Sequence, residues 1–194
     1  MNFDQQTQIL SKIQQLTGTQ SDLLHDLVKL NLIRSDELEK LINQLTVARF
    51  LKGQRYIEFA RKLDFSDINE QVHIISRCYY GMYHVVCLVL LNAFINKSIN
   101  EFKANELARA VVFHTKRADV DEHGQLAEDF SKRIDVILGD KIDEWRKIRN
   151  IIEYSPYTPT DIGIICQDAL RDAEEILEFC RQYLQNRGVN IATS

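Results

Sequence analysis

Proline occurs twice and glycine seven times in 194 residues. Tight turns lean on those two residues, because glycine reaches positive φ and proline pre-sets a turn angle. A chain with so few of them cannot turn often, which disfavours a many-stranded sheet and points to long helices with few connections. No sustained period-two alternation, internal repeat or low-complexity stretch argues otherwise. Apolar residues at 45% and charged residues at 27% give a soluble, globular balance with material for a real core. The length suits one domain with an appendage, or two small domains.

Apolar spacing places the helices. Ile9, Leu10, Ile13 and Leu16 lead to Gly18, and Leu23, Leu24, Leu27 and Val28 follow Ser21, which reads as a helical hairpin over residues 1–35. Ser35 with Asp36 and Glu37 opens a long helix carrying Leu38, Leu41, Ile42, Leu45, Ala48 and Phe59 and reaching about Leu63. Asp67 and Glu70 form a capping-box pattern ahead of the most apolar helix, Ile68 to Ile95. A helix near Glu101 to Thr115 precedes a polar break at RADVDEHG. One apolar stripe then runs through Leu126, Phe130, Ile134, Ile137, Ile142, Trp145, Ile148 and Ile152, interrupted or restarted at Gly139-Asp140 and ended by Pro156 and Pro159. Asp161 caps the last helix, whose buried face is Ile162, Ile165, Cys166, Ala169, Ala173, Ile176, Leu177, Cys180 and Leu184, and Gly188 stops it. The expected fold is all-α, an up-and-down bundle of four to five main helices over 36–188, with the hairpin before it and a loose tail at 189–194.

Several function classes drop out. A net charge of −4 opposes broad binding to DNA, which needs many Lys and Arg contacts to phosphate, and the short helices around Leu23 to Leu45 are too acidic to read bases. Cys78, Cys87, Cys166 and Cys180 form no C-x-x-C pair and fall in apolar patterns, as reduced core thiols of a cytoplasmic protein would. Cys78 to Asn96 is uncharged, but three tyrosines, His84 and Asn92 suit a helix buried in protein better than a membrane span of about 20 apolar residues. The N-terminus lacks a basic segment followed by an apolar one, so no signal peptide is expected. No phosphate-binding glycine loop, H-E-x-x-H or G-x-S-x-G occurs. His114 and His123 flank Asp119, Asp121 and Glu122 in what reads as a surface loop, so neither metal nor cofactor is expected.

Two stretches gather polar groups. His73, Arg77, Tyr80 and His84 step by four, three and four along the apolar helix and share one face. An arginine there must meet an acid, a carbonyl, a partner chain or an anion, and an internal hydrogen-bonded stripe is the default reading. Later, Arg146, Asn150 and Glu153 share a face while Arg149 can pair with Glu153 at i+4. Two guanidiniums ahead of Tyr154 and Tyr157 can clamp a phosphate with a ring against a base or ribose. The plain alternative is a solvated face with one weak ion pair.

ISRCYYGMYHVV, residues 74–85, resembles the S-R-x-Y-Y-x-M-(F/Y)-H helix of HEPN-domain proteins, and RKIRNIIEYSPY, 146–157, resembles their later helix in the branch related to bacterial HEPN toxins. EHGQLAEDF, 122–130, falls where that branch often carries a histidine. The resemblance covers roughly Leu38 to Leu184. It implies a four- to five-helix bundle, a homodimer, and a metal-independent ribonuclease or its relative, often paired with a minimal nucleotidyltransferase antitoxin or serving in phage defence. The family's hallmark is an arginine and, after four to six intervening residues, a histidine. Here Tyr154, Ser155 and Pro156 occupy those places after Arg149, and no histidine follows His123. Histidine titrates near neutrality and suits moving the ribose 2′-OH proton; tyrosine, near pKa 10, does not.

The sequence therefore leads to a homodimeric bundle that binds RNA or a nucleotide at a groove of Arg77, His84, Arg146, Arg149, Asn150, Glu153, Tyr154 and Tyr157, in a toxin–antitoxin or defence setting, with weak or no nuclease activity. An atypical ribonuclease drawing on Arg149, His84 and Tyr154 is the second reading, and a non-catalytic interaction module the third.

Overall fold

The computed structural model describes residues 35–94, 120–155 and 161–191. Among them are five helices and no strand: α1 (Ser35–Ala60), α2 (Ile68–Phe94), α3 (Val120–Arg133), α4 (Val136–Tyr154) and α5 (Ile162–Gln185). The all-α bundle expected from the paucity of turn residues is what forms. The hairpin over 1–35, the helix near Glu101 to Thr115, and Pro156 and Pro159 lie outside the described residues. The chain divides into two compact units, Met1–Ala48 with Phe94–Ala118, and Arg49–Ala93 with Asp119–Ser194. The contacts below belong to the second.

Buried residues on α2 include Ile74, Ile75, Cys78, Tyr79, Met82, Val85, Val86 and Leu88, each at 1% exposure or less. Such a distribution, apolar nearly all round, is that of a central helix. Its wetter side carries the exposed His73 and the half-buried Arg77, Tyr80 and His84. The neighbours of α2 come close. A Cβ on Gly81 would stand 2.5 Å from Ile57 Cγ1, and one on Gly53 2.9 Å from the Gly81 carbonyl. Only glycine lets the α1 and α2 backbones cross at this distance. Phe50, Ile57 and Ala60 are the buried face of α1. Phe59, expected in the apolar stripe, is instead 49% exposed.

The entry to α2 differs in detail from a capping box. Asp67 Oδ1 accepts from the Asn69 amide at 2.8 Å, but Glu70 reaches back to the amide of Asp64 at 2.5 Å rather than to Asp67. The loop between α1 and α2 curls tightly enough to bring Asp64 within reach first. The single stripe from Leu126 to Ile152 breaks at Ile134–Asp135, before Gly139. Asp135 has extended φ and accepts from the Leu138 amide at 2.9 Å, which caps α4. Gly139 belongs to the first turns of α4, where its missing side chain admits Ser131 of α3. The polar break ends earlier than its composition suggests, since α3 begins at Val120. Ser155 ends α4 with an extended ψ of 143°, as a residue before proline must. Asp161 begins α5 through its carbonyl, which accepts from Ile164 and Ile165 at 3.1 and 3.3 Å; its side chain makes no cap bond.

Phe130 of α3 meets Phe179 of α5 edge-on at 6.2 Å. Asp172 on α5 is 8% exposed and is answered from α4 by Trp145 Nε1 at 3.0 Å and Lys141 Nζ at 3.1 Å, so a buried carboxylate ties the two helices. Arg61, just past α1, donates to Glu174 of α5 at 2.6 Å. All four cysteines are buried and none forms a disulfide. Burial pushes the Cys78 thiol up to about 12 and Cys166 up to about 11, and raises Cys180 as well. Beyond α5, Val189 bonds back to Leu184, and Ile191, within the stretch expected to be loose, is 3% exposed. No helix among the described residues is long and apolar enough to cross a membrane.

Candidate functional site

The buried residues of α4 are Leu138, Gly139, Ile142, Trp145, Arg149 and Ile152. From Leu138 the steps of four, three, four and three put Arg149 on the core face, where an apolar residue would ordinarily stand. Ile148, which the sequence assigns to that stripe, is only half-buried. Arg149 is 5% exposed. Leaving its charge uncompensated there would be costly, and three kinds of partner prevent that. Its Nη1 donates to Glu153 Oε2 at 3.0 Å and to the Tyr154 hydroxyl at 3.2 Å. Ser76 on α2 donates to the other carboxylate oxygen of Glu153 at 2.5 Å. The guanidinium also lies over three rings, Tyr79 at 4.9 Å, Tyr80 at 5.3 Å and Tyr154 at 5.7 Å.

The serine, the paired tyrosines and the arginine–glutamate pair thus interlock. Ser76, Tyr79 and Tyr80 recur one turn apart on α2, while Arg149 and Glu153 recur one turn apart on α4, and the two helices run antiparallel so that the sets meet. Burial acts to lower the pKa of Arg149, but Tyr80, Glu153 and Tyr79 together hold it above its ordinary value. Burial raises Tyr79 and Tyr80, with Arg149 opposing the rise in each. Phenols shifted upward remain protonated at neutral pH and act as donors, not bases. The Nε–H of Arg149 is buried with no acceptor among the described residues.

No family model, no curated protein and no solved structure matches this chain. The HEPN resemblance therefore rests on the residues alone.

The remaining sequence-derived site residues fall into separate places. Arg77 and His84 converge on Tyr56 of α1: the Arg77 guanidinium is 5.1 Å from that ring, and the His84 imidazole stacks on it at 5.6 Å and 16°. Tyr56 also meets Tyr80 at 6.3 Å, so Tyr80 touches both this group and Arg149. Arg146 is not a second clamp beside Arg149. It turns to Asp143, with Nη2 at 2.8 Å from the carboxylate, and its guanidinium passes near Gly124 of α3. Asn150 is half-buried. Tyr154 is 73% exposed. Tyr157 lies outside the described residues. No metal-binding group of three or more His, Cys, Asp or Glu occurs among the described residues.

A set of α1 residues beside Arg77 escaped the sequence reading. A pocket of about 310 Å³ between α1 and α2 is lined by Lys52, Arg55, Tyr56, Phe59 and Arg77. Its α1 residues stand at i, i+3, i+4 and i+7, a helical face of cations and rings that spacing alone could have flagged.

Proposed function

We propose that the chain is a HEPN-like helical-bundle protein that binds RNA or a nucleotide at an arginine-lined groove, as a homodimer working with a protein partner such as a nucleotidyltransferase-type antitoxin, in a toxin–antitoxin or defence setting. One observation carries the binding part of this reading. Cations and rings follow one another from Arg77 over Tyr56, through Tyr80, to Arg149 and the exposed Tyr154. Single-stranded nucleic acid is held by that combination of positive charge along the backbone and aromatic faces for the bases. The half-buried Arg77 and His84 meet at Tyr56 on this run, and Arg146 and Asn150, half-buried on α4, complete the proposed groove.

The same geometry disfavours efficient cleavage. Arg149, at the motif position, is enclosed and committed to Glu153 and Tyr154, and among the described residues no histidine bonds to it to move a proton. Incubating the protein with a labelled RNA pool tests both parts. Binding that weakens in Arg77→Ala and Arg146→Ala, without cleavage at high protein concentration, is the expected result. Metal-independent cleavage would establish the ribonuclease reading instead. The burial of Arg149 also favours a second reading, a non-catalytic interaction module in which the arginine ties α2 to α4. Failure to bind RNA, nucleotides or sulfate would leave that reading in place.

A further inference from the structure

Many basic side chains on the described surface are matched: Arg61 pairs with Glu174, Lys132 with Glu128, Lys147 with Asp143 and Arg171 with Asp168. The α1–α2 pocket is different. Lys52 and Arg55 are exposed, Arg77 is half-buried, and none of the three forms an ion pair or hydrogen bond among the described residues. Two of them rest on rings instead, Arg77 at 5.1 Å from Tyr56 and 5.4 Å from Phe59, and Lys52 at 5.9 Å from Tyr56. The nearest acid on the same helix, Glu58, accepts from Gln54 at 2.7 Å. Three like charges held round one concavity repel each other, and an anion placed among them relieves that repulsion.

Charge alone would suit any anion. The rings narrow the choice, since Tyr56 and Phe59 form part of the wall and Phe59 keeps 49% of its surface in water. The volume, about 310 Å³, lies at the small end of ligand sites, which span about 300–1,000 Å³. It accommodates one nucleotide rather than an extended cofactor. Guanidiniums take phosphate oxygens two at a time, and a base covers an exposed ring.

We propose that this pocket seats a single nucleoside phosphate, with its phosphate among Lys52, Arg55 and Arg77 and its base against Phe59. The inference rests on the nucleotide-binding reading above and narrows it, moving the principal contact from α4 to the face between α1 and α2. A free mononucleotide and a terminal or looped-out nucleotide of an RNA present the same chemistry. Gly53 and Gly81 fix the pocket's width, because their close crossing sets how far Tyr56 and Phe59 stand from Arg77.

The test measures equilibrium binding of the full chain to AMP, ADP and ATP, to a fluorescent single-stranded RNA hexamer, to pyrophosphate and to a phosphotyrosine peptide. Lys52→Gln and Arg55→Gln should each weaken nucleotide or RNA binding about tenfold, as the loss of one charge-assisted contact does. Arg55→Lys should recover part of the loss, and Lys132→Gln should change nothing. Phe59→Leu should weaken nucleotide binding severalfold while leaving pyrophosphate where it was. Both glutamine substitutions fall on exposed side chains, so unchanged melting curves confirm that the fold is intact. Binding of free nucleotides assigns the site to them, and binding of the hexamer alone assigns it to RNA; either supports the proposal. Equal affinity for pyrophosphate or the phosphotyrosine peptide overturns it. If binding falls in Arg146→Ala but not in Lys52→Gln or Arg55→Gln, this pocket is wrong while the nucleotide-binding reading stands. If the native protein binds neither nucleotide nor RNA, both are wrong.

Discussion

Arg149 and Arg77 each lie over aromatic rings, 4.9 Å from Tyr79 in one case and 5.1 Å from Tyr56 in the other. Only Arg149 has an acid. Glu153 and the Tyr154 hydroxyl occupy its Nη1, Ser76 fixes Glu153 from the neighbouring helix, and water is nearly excluded. Arg77 keeps its rings but meets no carboxylate among the described residues, beside two further cations that meet none there either. Cation–ring attraction therefore does not by itself separate an internal tie from a binding group. The carboxylate does, because it consumes directional donors that would otherwise be offered to a ligand.

The largest test of that contrast is Arg149→Ala. Removing the buried partner leaves Glu153 and two tyrosines facing a void, and a loss of about 3 kcal/mol is expected. For a chain of this size that lowers Tm by roughly 6–12 °C. A loss no greater than that of Arg77→Ala would break the comparison. Gly81→Val comes next. Its side chain meets Ile57 at the helix crossing, costs about 1–3 kcal/mol, and should also weaken ligand binding in the α1–α2 pocket. Destabilisation without any change in binding would show that the crossing does not set the pocket's width.

Arg77→Ala should cost less, below about 1 kcal/mol by urea unfolding, since it loses ring contacts but orphans no charge. The smallest effect concerns Arg146, which has an acid but stands nearer the surface. A hydrogen bond from Lys147, and then one from Arg146, hold the Asp143 carboxyl below its ordinary range, against the opposing effect of burial. A depressed acid contributes stability above its unfolded pKa of about 3.9 and loses it as pH falls through the folded value. Asp143→Asn should therefore reduce stability by less than about 1 kcal/mol at neutral pH. The gap from the native protein should close below about pH 4. A gap that widens on acidification would have the wrong sign.

Much of the architecture could be read before any coordinates. Few turn residues, apolar spacing and the polar starts at Asp67 and Asp161 located α2, α5 and the end of α4 to within a few residues, while the start of α4 was left open. The pairing of Arg149 with Glu153 also followed from their i+4 spacing. The burial of Arg149 did not, because Ile148 and Arg149 are adjacent and a polar residue is ordinarily assigned to the solvent side. The regular steps through Leu138, Ile142, Trp145 and Ile152 held the missing clue. Phe59 was misplaced for the opposite reason, since a ring at helical spacing reads as core.

Local sequence determined the helices, because each is set by contacts within a few residues along the chain: caps, prolines and the 3.6-residue period. It also fixed which side chains share a face. What each face meets depends on residues far away in the chain, and only tertiary packing decides that. Ser76 lies 77 positions from Glu153, yet their hydrogen bond helps make Arg149 an internal tie. Lys52 and Arg55 face Arg77 because Gly53 and Gly81 let two backbones nearly touch. Burial and unmatched charge are properties of those encounters, and they separate the enclosed arginine from the open one.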